Sequence, residues 1–261
     1  MVIEKKKNKL KNFFNKKTGI FVVALIALVV LVVLNLTPVA IVVANRKIPV
    51  YCVDRQDKCV ALTFDAAWGA DKTEQILEIC KRFQVKVTFF LVGFWSEKYP
   101  ELVKKIYDEG HAIGTHSQTH PKMTELSTVK QEKELSDSIK RITEVTHGEV
   151  KIFRAPFGAY DNTLIETASS FGLTTIQWSI DSLDWKGISA VQIADRVLKA
   201  TMGDIVLCHN NSDHIVEALP VILQGFKDRG FTLLTVEDMI YYEDYYIDHT
   251  GRQIKNKTNI D

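Results

Sequence analysis

Cysteine is scarce in this 261-residue chain, and its spacing excludes one common class of metal site. The four cysteines are Cys52, Cys59, Cys80 and Cys208. None belongs to a CxxC pair, so the spacing of a zinc finger is absent. Cys52 and Cys59 flank a polar turn between two strand-like runs, where they either form a disulfide across a hairpin or stay as free thiols. Cys80 and Cys208 lie in apolar patterns and are expected to be buried thiols.

Strong charge of one sign is also missing outside the N-terminus. The formal net charge is +1, from 33 Lys and Arg against 32 Asp and Glu. The N-terminal lysines are Lys5, Lys6, Lys7, Lys9, Lys11, Lys16 and Lys17. Without this basic arm the chain is mildly acidic, so we do not expect its body to bind nucleic acid.

A long hydrophobic run follows the basic arm of residues 1–19. Ile20 to Leu34 is unbroken in its apolarity, which continues with few interruptions to Ala44. A helix over residues 20–44 is long enough to cross roughly 30 Å of hydrocarbon. Because lysines precede it, we predict a single-pass membrane anchor with a cytoplasmic N-terminus and an extracytoplasmic domain. A cleaved signal peptide is the alternative, and it also exports the domain.

No low-complexity linker divides the chain beyond residue 44. Residues 45–57 are interpreted as a linker and hairpin, and residues 243–261 as a polar, poorly ordered tail. Between them, residues 58–242 contain about seven units in which a strand-like run precedes an amphipathic helix, one of these helices running from Ser96 to Asp108. This alternation predicts an α/β fold, with a parallel sheet under helices in the form of a distorted or incomplete (β/α) barrel.

Reactive side chains follow five of the predicted strands. The first core strand, Val60–Phe64, ends at Asp65. The other four strands lead into the stretches HSQTH (116–120), RAPFG (154–158), DSLDW (181–185) and His209. Taken singly, each has a plain structural interpretation, such as a turn cap or a buried histidine. Because the carboxyl ends of the strands of a parallel barrel meet on one face, we expect them to form one site.

The spacing of the histidines suggests a metal. On a helical turn, His116 and His120 lie on one side and can share a divalent ion, although two loop histidines facing solvent are the alternative. Arg154 suits a bidentate pair with Asp65, unless it is a surface arginine in a rigid turn. Asp184 can raise the pKa of a histidine by a hydrogen bond, as a general acid requires.

The five stretches resemble the polysaccharide deacetylases with a NodB-homology domain, carbohydrate esterase family 4. That family carries, in order, T-F-D-D, H-[S/T]-x-x-H, R-x-P-[F/Y]-G, D-x-x-D-W and L-x-H. Here the matching residues are 63–66, 116–120, 154–158, 181–185 and 207–209. The resemblance covers about residues 50–240 and implies metal-dependent removal of N-acetyl groups from a polymeric amino sugar. Trp68-Gly69 is similar to the sporulation-associated branch of the family.

The resemblance implies a role for each matching residue. Asp65 is the implied catalytic base and His209 the implied general acid. Arg154 is implied to orient the base, and Asp184 to support the acid. The implied ligands of a zinc or cobalt ion are His116 and His120. Our candidate substrate-binding residues are Pro156, Phe157, Trp185 and Leu207. Trp185 suits the wall of a sugar site and is equally interpreted as a core tryptophan.

One position departs from the family pattern. The second Asp of the first motif, a metal ligand, is Ala66 here. Alanine cannot coordinate, so two histidines alone would hold the ion more weakly. Asp71 is our candidate for the missing ligand, and direct ligation by Asp65 is the alternative. We therefore expect a membrane-anchored, extracytoplasmic deacetylase of cell-wall glycan, with peptidoglycan as substrate, or else a glycan-binding homologue with impaired catalysis.

Overall fold

The computed structural model describes residues 21–22, 24–32 and 46–256. Residues 21–22 and 24–32 are helical. In these described ranges, no helix has the combined length and apolarity needed to cross a bilayer. The basic arm and residues 20, 23 and 33–44 of the predicted anchor lie outside the described residues, so the anchor stays a prediction. By its contacts the chain divides into residues 1–46 and 47–261.

Among the described residues of the second unit, the strands form two sheets. Their strands are β1 (Cys52–Val53), β2 (Cys59–Ala66), β3 (Thr88–Leu91), β4 (Ala112–Thr115), β5 (Ile152–Phe153), β6 (Thr174–Thr175), β7 (Ile180–Asp181), β8 (Ile205–His209), β9 (Thr232–Leu233), β10 (Tyr245–Ile247) and β11 (Arg252–Lys255). The larger sheet has the order β6-β5-β4-β3-β2-β8-β7, and β9 pairs with the start of β2. All these pairs are parallel. No pairing joins β6 to β7 within the described residues, so the sheet is not closed. A curled, all-parallel sheet with helices is consistent with the predicted distorted or incomplete (β/α) barrel.

Helices follow most of the strands, as the alternation predicts. They are α1 (Thr73–Phe83), α2 (Gly93–Lys98), α3 (Pro100–Asp108), α4 (Thr128–Thr146), α5 (Asn162–Ser170), α6 (Ala190–Val197), α7 (Ile215–Asp228) and α8 (Val236–Met239). The single helix predicted from Ser96 to Asp108 is wrong, because α2 ends before Tyr99 and α3 begins at Pro100. Proline disfavours the helical conformation in the residue that precedes it. Tyr99, before Pro100, accordingly has φ −129° and ψ 56° and breaks the helix.

The two faces of strand β2 pack against different parts of the core. Every one of its residues is buried. Leu62 and Phe64 pack in the core that includes the buried faces of the helices, whereas Ala61 packs with Ile205 in a second cluster. Because successive side chains of a strand point to opposite faces, Asp65 projects on the same side as Ala61.

The predicted hairpin of residues 45–57 is wrong. Strand β1 does not pair with β2 but runs parallel to β11, two hundred residues further along the chain. Cys52 therefore lies in the smaller sheet and Cys59 in the larger one, and both are free thiols. Short-range spacing suggested a hairpin, but a distant strand satisfies the backbone of β1 instead.

Part of the predicted disordered tail is folded, which corrects that prediction for residues 243–256. Strands β10 and β11 complete a three-stranded sheet with β1. Gln253 is fully buried in β11. Its side chain accepts a hydrogen bond from the backbone N–H of Tyr241 at 2.9 Å and donates one to the Tyr241 carbonyl at 2.6 Å. Because β11 is held by hydrogen bonds of a polar side chain, its sequence lacks the apolar alternation that would have predicted a strand. Residues 257–261 lie outside the described residues.

Candidate active site

The candidate catalytic side chains meet at the carboxyl ends of the central strands. Asp65 in β2 and His209 in β8 are register partners on adjacent parallel strands. A cavity of about 740 Å³ opens at this end, within the usual range for ligand sites of roughly 300–1,000 Å³. The predicted catalytic and metal-binding residues that line it are Asp65, His116, His120, Asp184 and His209.

Arg154 fixes the carboxylate of Asp65. The arginine is fully buried, and its Nη1 donates to Asp65 Oδ1 at 2.7 Å and to Thr63 Oγ1 at 2.8 Å. Its Nη2 donates to the carbonyl of Gln177 at 3.1 Å, and the guanidinium lies 4.0 Å from the centre of the Phe90 ring. The predicted bidentate pair with Asp65 is therefore wrong, because the second nitrogen binds a backbone carbonyl.

The charge of Asp65 is maintained by its neighbours. Burial alone would raise the pKa of this carboxyl, but the positive charge of Arg154 holds the pKa below its ordinary value. Asp65 Oδ2 lies 3.5 Å from His116 Nε2. Asp65 is thus an ionised carboxylate at the cavity wall, placed to orient a water and to accept its proton.

Asp184 holds His209 by two hydrogen bonds. Its Oδ1 is 2.7 Å from His209 Nδ1, and its Oδ2 accepts the backbone N–H of His209 at 2.8 Å. Burial lowers the pKa of His209, but the hydrogen bond and negative charge of Asp184 outweigh burial and raise the pKa above its ordinary value. With Nδ1–H donated to Asp184, Nε2 is the nitrogen that offers a proton to other groups.

The two histidines of the second motif meet through a loop. The predicted helical turn is wrong, because Ser117 and His120 have φ of 68° and 58°. The backbone N–H of His120 donates to Ser117 Oγ at 2.9 Å, which closes the loop. The ring centroids of His116 and His120 are 4.9 Å apart. His116 Nδ1 donates to the carbonyl of Arg154 at 2.7 Å, so its Nε2 is left as an acceptor.

Glu134 on α4 holds the same loop from outside. Its Oε2 accepts the backbone N–H groups of Gln118 and Thr119 at 2.9 and 2.8 Å, and its Oε1 accepts the Thr119 hydroxyl at 2.7 Å. Sequence reasoning missed this residue, because a glutamate on a long charged helix has the pattern of a solvated face.

The site offers a metal two imidazole donors. Burial lowers the pKa of both histidines, that of His120 to about 4 with help from His116, so both carry the neutral ring that binds metals. His120 Nδ1 is buried and has no hydrogen-bond partner. Ala66 supplies no donor, and across the described ranges no three His, Cys, Asp or Glu side chains converge closely enough to hold an ion. The residues present fit part of a metal site and do not complete it.

Asp71 is not brought to the cavity. It is exposed in the turn before α1 and is absent from the residues that line the cavity. Because the chain turns away after Gly69 to enter α1, Asp71 does not supply the missing donor in this structure. Ala66 is fully buried in β2, whereas the next residue, Ala67, lines the cavity.

Three of the four predicted substrate-binding residues line the cavity, namely Phe157, Trp185 and Leu207. Pro156 does not, since it is buried at the start of a single 3₁₀ turn that sets Phe157 at φ 61°. Trp185 is 58% exposed, so it is not a core tryptophan. Trp68, which the sequence had not assigned to the site, also lines the cavity and is 63% exposed.

Comparison with known proteins identifies the family. The sequence pattern of the family described as polysaccharide deacetylase matches residues 53–176. A peptidoglycan-N-acetylglucosamine deacetylase of Bacillus cereus is 34% identical over 197 residues, which are 73% of this chain and 92% of that protein. The chain belongs to the polysaccharide deacetylase family, as its five motifs predict.

The chain is also similar to an uncharacterized protein and to a pseudoenzyme of known structure. The uncharacterized protein YlxY of Bacillus subtilis is 33% identical over 193 residues, 74% of this chain. The chain spans only 60% of the length of that relative. The crystal structure of a pseudoenzyme of carbohydrate esterase family 4 from Bacillus anthracis matches with a TM-score of 0.71 at 33% identity, covering 73% of this chain and 68% of that one. This chain is therefore similar both to a deacetylase and to a relative described as a pseudoenzyme.

Proposed function

We propose that the protein removes N-acetyl groups from the amino sugars of cell-wall glycan, with peptidoglycan as substrate. The observation that carries the proposal is the pair of Asp65 and His209, which are register partners with pKa values shifted in opposite directions. A carboxylate of low pKa beside an imidazole of high pKa suits the base and the acid of one hydrolysis. The deacetylase relatives support the choice of substrate.

In this proposal Asp65 accepts a proton from the water that attacks the acetyl carbonyl. Arg154 keeps Asp65 ionised and in place. His209 then delivers a proton from Nε2 to the leaving nitrogen, so the C–N bond breaks and acetate and a free amine are released. Asp184 keeps His209 in the correct tautomer and stabilises its protonated form.

The proposed cofactor is a divalent ion, zinc or cobalt, held by His116 and His120. Such an ion, when bound, polarises the acetyl carbonyl. His116 is prepared for this role, because its Nδ1–H is bound to a carbonyl and its Nε2 is free to ligate. With Ala66 in place of a third donor, we expect weak retention of the ion.

The second candidate function is glycan binding with impaired catalysis. Ala66 and the incomplete donor set favour it, as does the similarity to a pseudoenzyme. The enzyme is favoured by the retained acid–base pair with its two supports, Arg154 and Asp184, since binding alone requires none of these contacts.

We also propose that the protein is anchored in the cell membrane by residues 20–44, with its N-terminus in the cytoplasm. The support is the apolar run and the lysines that precede it. Protease added to intact cells should then degrade the domain of residues 47–261. Full protection of that domain would contradict this orientation.

The test of activity is analysis of the glycan itself. Purified peptidoglycan is incubated with the full-length protein and zinc or cobalt, digested to muropeptides and examined by mass spectrometry. We expect muropeptides that lack one acetyl group. Muropeptides identical to those of the untreated glycan would favour the second candidate.

A further inference from the structure

Gln177 lies beside the cavity without lining it. The residue is 2% exposed and sits between β6 and β7, outside the five stretches of reactive residues. Two polar groups of this one residue contact different parts of the site. Its backbone carbonyl contacts Arg154, and its side-chain amide contacts Gly158. Gln177 is therefore placed to align two parts of the site with each other.

The backbone carbonyl of Gln177 holds one end of the Arg154 guanidinium. It accepts a hydrogen bond from Arg154 Nη2 at 3.1 Å, while Nη1 donates to Asp65 and Thr63. A guanidinium is planar and rigid, so fixing Nη2 also fixes the direction in which Nη1 points. The bond between Arg154 and Asp65 thus depends on the position of the Gln177 carbonyl.

Val50 holds Gln177 through the backbone. The N–H of Gln177 donates to the Val50 carbonyl at 2.7 Å, and Val50 forms an isolated bridge with Ile176. These contacts lie in residues 176–179, which connect β6 to β7, the two ends of the open sheet. Because backbone contacts survive most substitutions, the side chain of Gln177 is the group that a variant can change.

The side chain of Gln177 holds the turn that carries Phe157. Its Nε2 donates to the Gly158 carbonyl at 3.3 Å. Phe157 has φ 61°, a conformation that side chains other than glycine disfavour, and its exposed ring lines the cavity. A disfavoured backbone conformation persists only where surrounding contacts hold it, and the bond from Gln177 is one of these contacts.

Gly158 brings the same turn against the Gln177 side chain. It has φ +65°, and a Cβ at this position would lie 2.9 Å from Trp178 Cη2 and 3.3 Å from Gln177 Oε1. Any larger residue would have to displace one of these groups. The turn, the glutamine and the tryptophan are therefore packed against one another.

From these contacts we infer that Gln177 is a positioning residue, which keeps the Arg154 guanidinium and the turn of residues 156–158 in a fixed relation. Arg154 orients the proposed base, and Phe157 forms part of the cavity wall, so base and wall are aligned through one residue. The inference rests on the proposed function and adds to it a residue that touches no reacting atom. A displacement of about 1 Å at a reacting group can cost roughly a hundredfold in rate.

The kinetic test replaces Gln177 by methionine, which keeps the length of the side chain and removes the hydrogen bond. We expect kcat for acetate release to fall about tenfold in Gln177→Met, with KM within about twofold of the wild-type value. Gln177→Glu should lose as much, because a carboxylate accepts hydrogen bonds and donates none to the Gly158 carbonyl.

Gln131→Met is the matched control. Gln131 is a second buried glutamine, and its Nε2 donates to the Met123 carbonyl at 2.9 Å, away from the cavity lining. This variant should lower the urea midpoint and leave kcat and KM unchanged. The control separates the general cost of removing a buried hydrogen bond from the alignment of the site.

A second measurement does not depend on turnover. Within the turn, the backbone N–H groups of Gly158 and Ala159 donate to the carbonyls of Ala155 and Pro156 at 3.1 and 3.2 Å. Hydrogen exchange of the full-length protein, followed by mass spectrometry in a peptide that contains both amides, reports these bonds. We expect this exchange to be about tenfold faster in Gln177→Met, with exchange in β2 unchanged.

Two results would overturn the inference: unchanged exchange in the turn, or faster exchange while kcat keeps its wild-type value. The deacetylase proposal is judged separately by acetyl loss from glycan. If the wild type releases no acetate, the deacetylase proposal fails, and faster exchange in Gln177→Met still shows that Gln177 holds the turn.

Discussion

Single residues set the proton chemistry of the site. Asp184 is buried and uses both of its oxygens on His209, one on the ring and one on the backbone. It is the chief influence that raises the pKa of His209 against the effect of burial. Because the protonated imidazole is the proposed acid, activity should persist until the pH rises through this raised pKa.

Asp184→Asn should therefore move the alkaline limb of activity to lower pH. The variant removes the negative charge, the pKa of His209 falls, and the acid form is lost at a lower pH. The measurement is the pH profile of kcat/KM for acetate release. Asp181→Asn is the graded control, because Asp181 is a weaker influence on the same pKa and should give a smaller shift. An unmoved alkaline limb in Asp184→Asn would exclude His209 as the acid.

Ala66→Asp should restore a third donor. We expect zinc affinity to rise by about tenfold or more and acetate release to rise with it, because three protein ligands retain zinc better than two. A carboxylate at this fully buried position should also lower stability in chelator and regain it with zinc. Zinc titration by calorimetry and thermal unfolding with and without zinc provide the measurements.

Ala67→Asp is the matched control for this position, since Ala67 lines the cavity and lies one residue further along. If Ala67→Asp gains zinc affinity and Ala66→Asp does not, the assignment of Ala66 as the lost ligand position is wrong.

At the scale of secondary-structure elements, helix α4 holds the loop of residues 116–120 in place. The loop of residues 116–120 bends through two residues of positive φ, a conformation that side chains other than glycine disfavour. Glu134 on α4 stabilises that bend with three hydrogen bonds from Gln118 and Thr119. The histidines therefore owe their position to a residue outside the motif.

Glu134→Gln should loosen this loop. A glutamine offers one acceptor oxygen instead of two, so the loop loses hydrogen bonds and the two imidazoles are less well aligned. We expect zinc affinity to fall about three- to tenfold, while the urea midpoint changes little. Glu132→Gln, an exposed change on the same helix, should leave zinc affinity as it is. Equal zinc affinity in Glu134→Gln and the wild type would remove Glu134 from this role.

The helices, strands and loops differ in how well the sequence predicts them. Apart from the break at Tyr99, the helices follow the sequence, because their caps and apolar periods are local. Ser189, for example, begins α6 with a capping box that its own sequence displays. The two-residue strand β7 was not predicted, because two residues contain no period. The loop conformation at Ser117 and the bonds of Glu134 were also beyond reach, since they depend on distant contacts.

At the scale of the whole molecule, the two sheets of the described residues have different roles. The parallel sheet gathers the reactive side chains at one end, and this was predictable because parallel strands end on one face. The smaller sheet was not predictable from the sequence, because β1 pairs with β11, which lies two hundred residues further along the chain. Its polar side chains also give no apolar pattern. Gln253 joins this sheet to the segment after α8 through the backbone of Tyr241.

Gln253→Ala should destabilise the fold without touching the cavity. It leaves two backbone groups of Tyr241 without their partner, which costs about 1–3 kcal/mol of unfolding free energy. Urea unfolding measures the loss. Gln224→Ala is the control, because Gln224 is exposed and bonds only to Asp228 among the described contacts. A variant as stable as the wild type would show that this sheet does not hold the chain end in place.

The measurement that decides the account is acetate release from peptidoglycan by the full-length protein with added zinc or cobalt, compared with Asp65→Asn and His209→Ala. We predict acetate release by the wild type and a loss of at least about a hundredfold in each variant, as expected for a general base and a general acid. Wild-type protein that releases no acetate with either metal, or variants as active as the wild type, would contradict it.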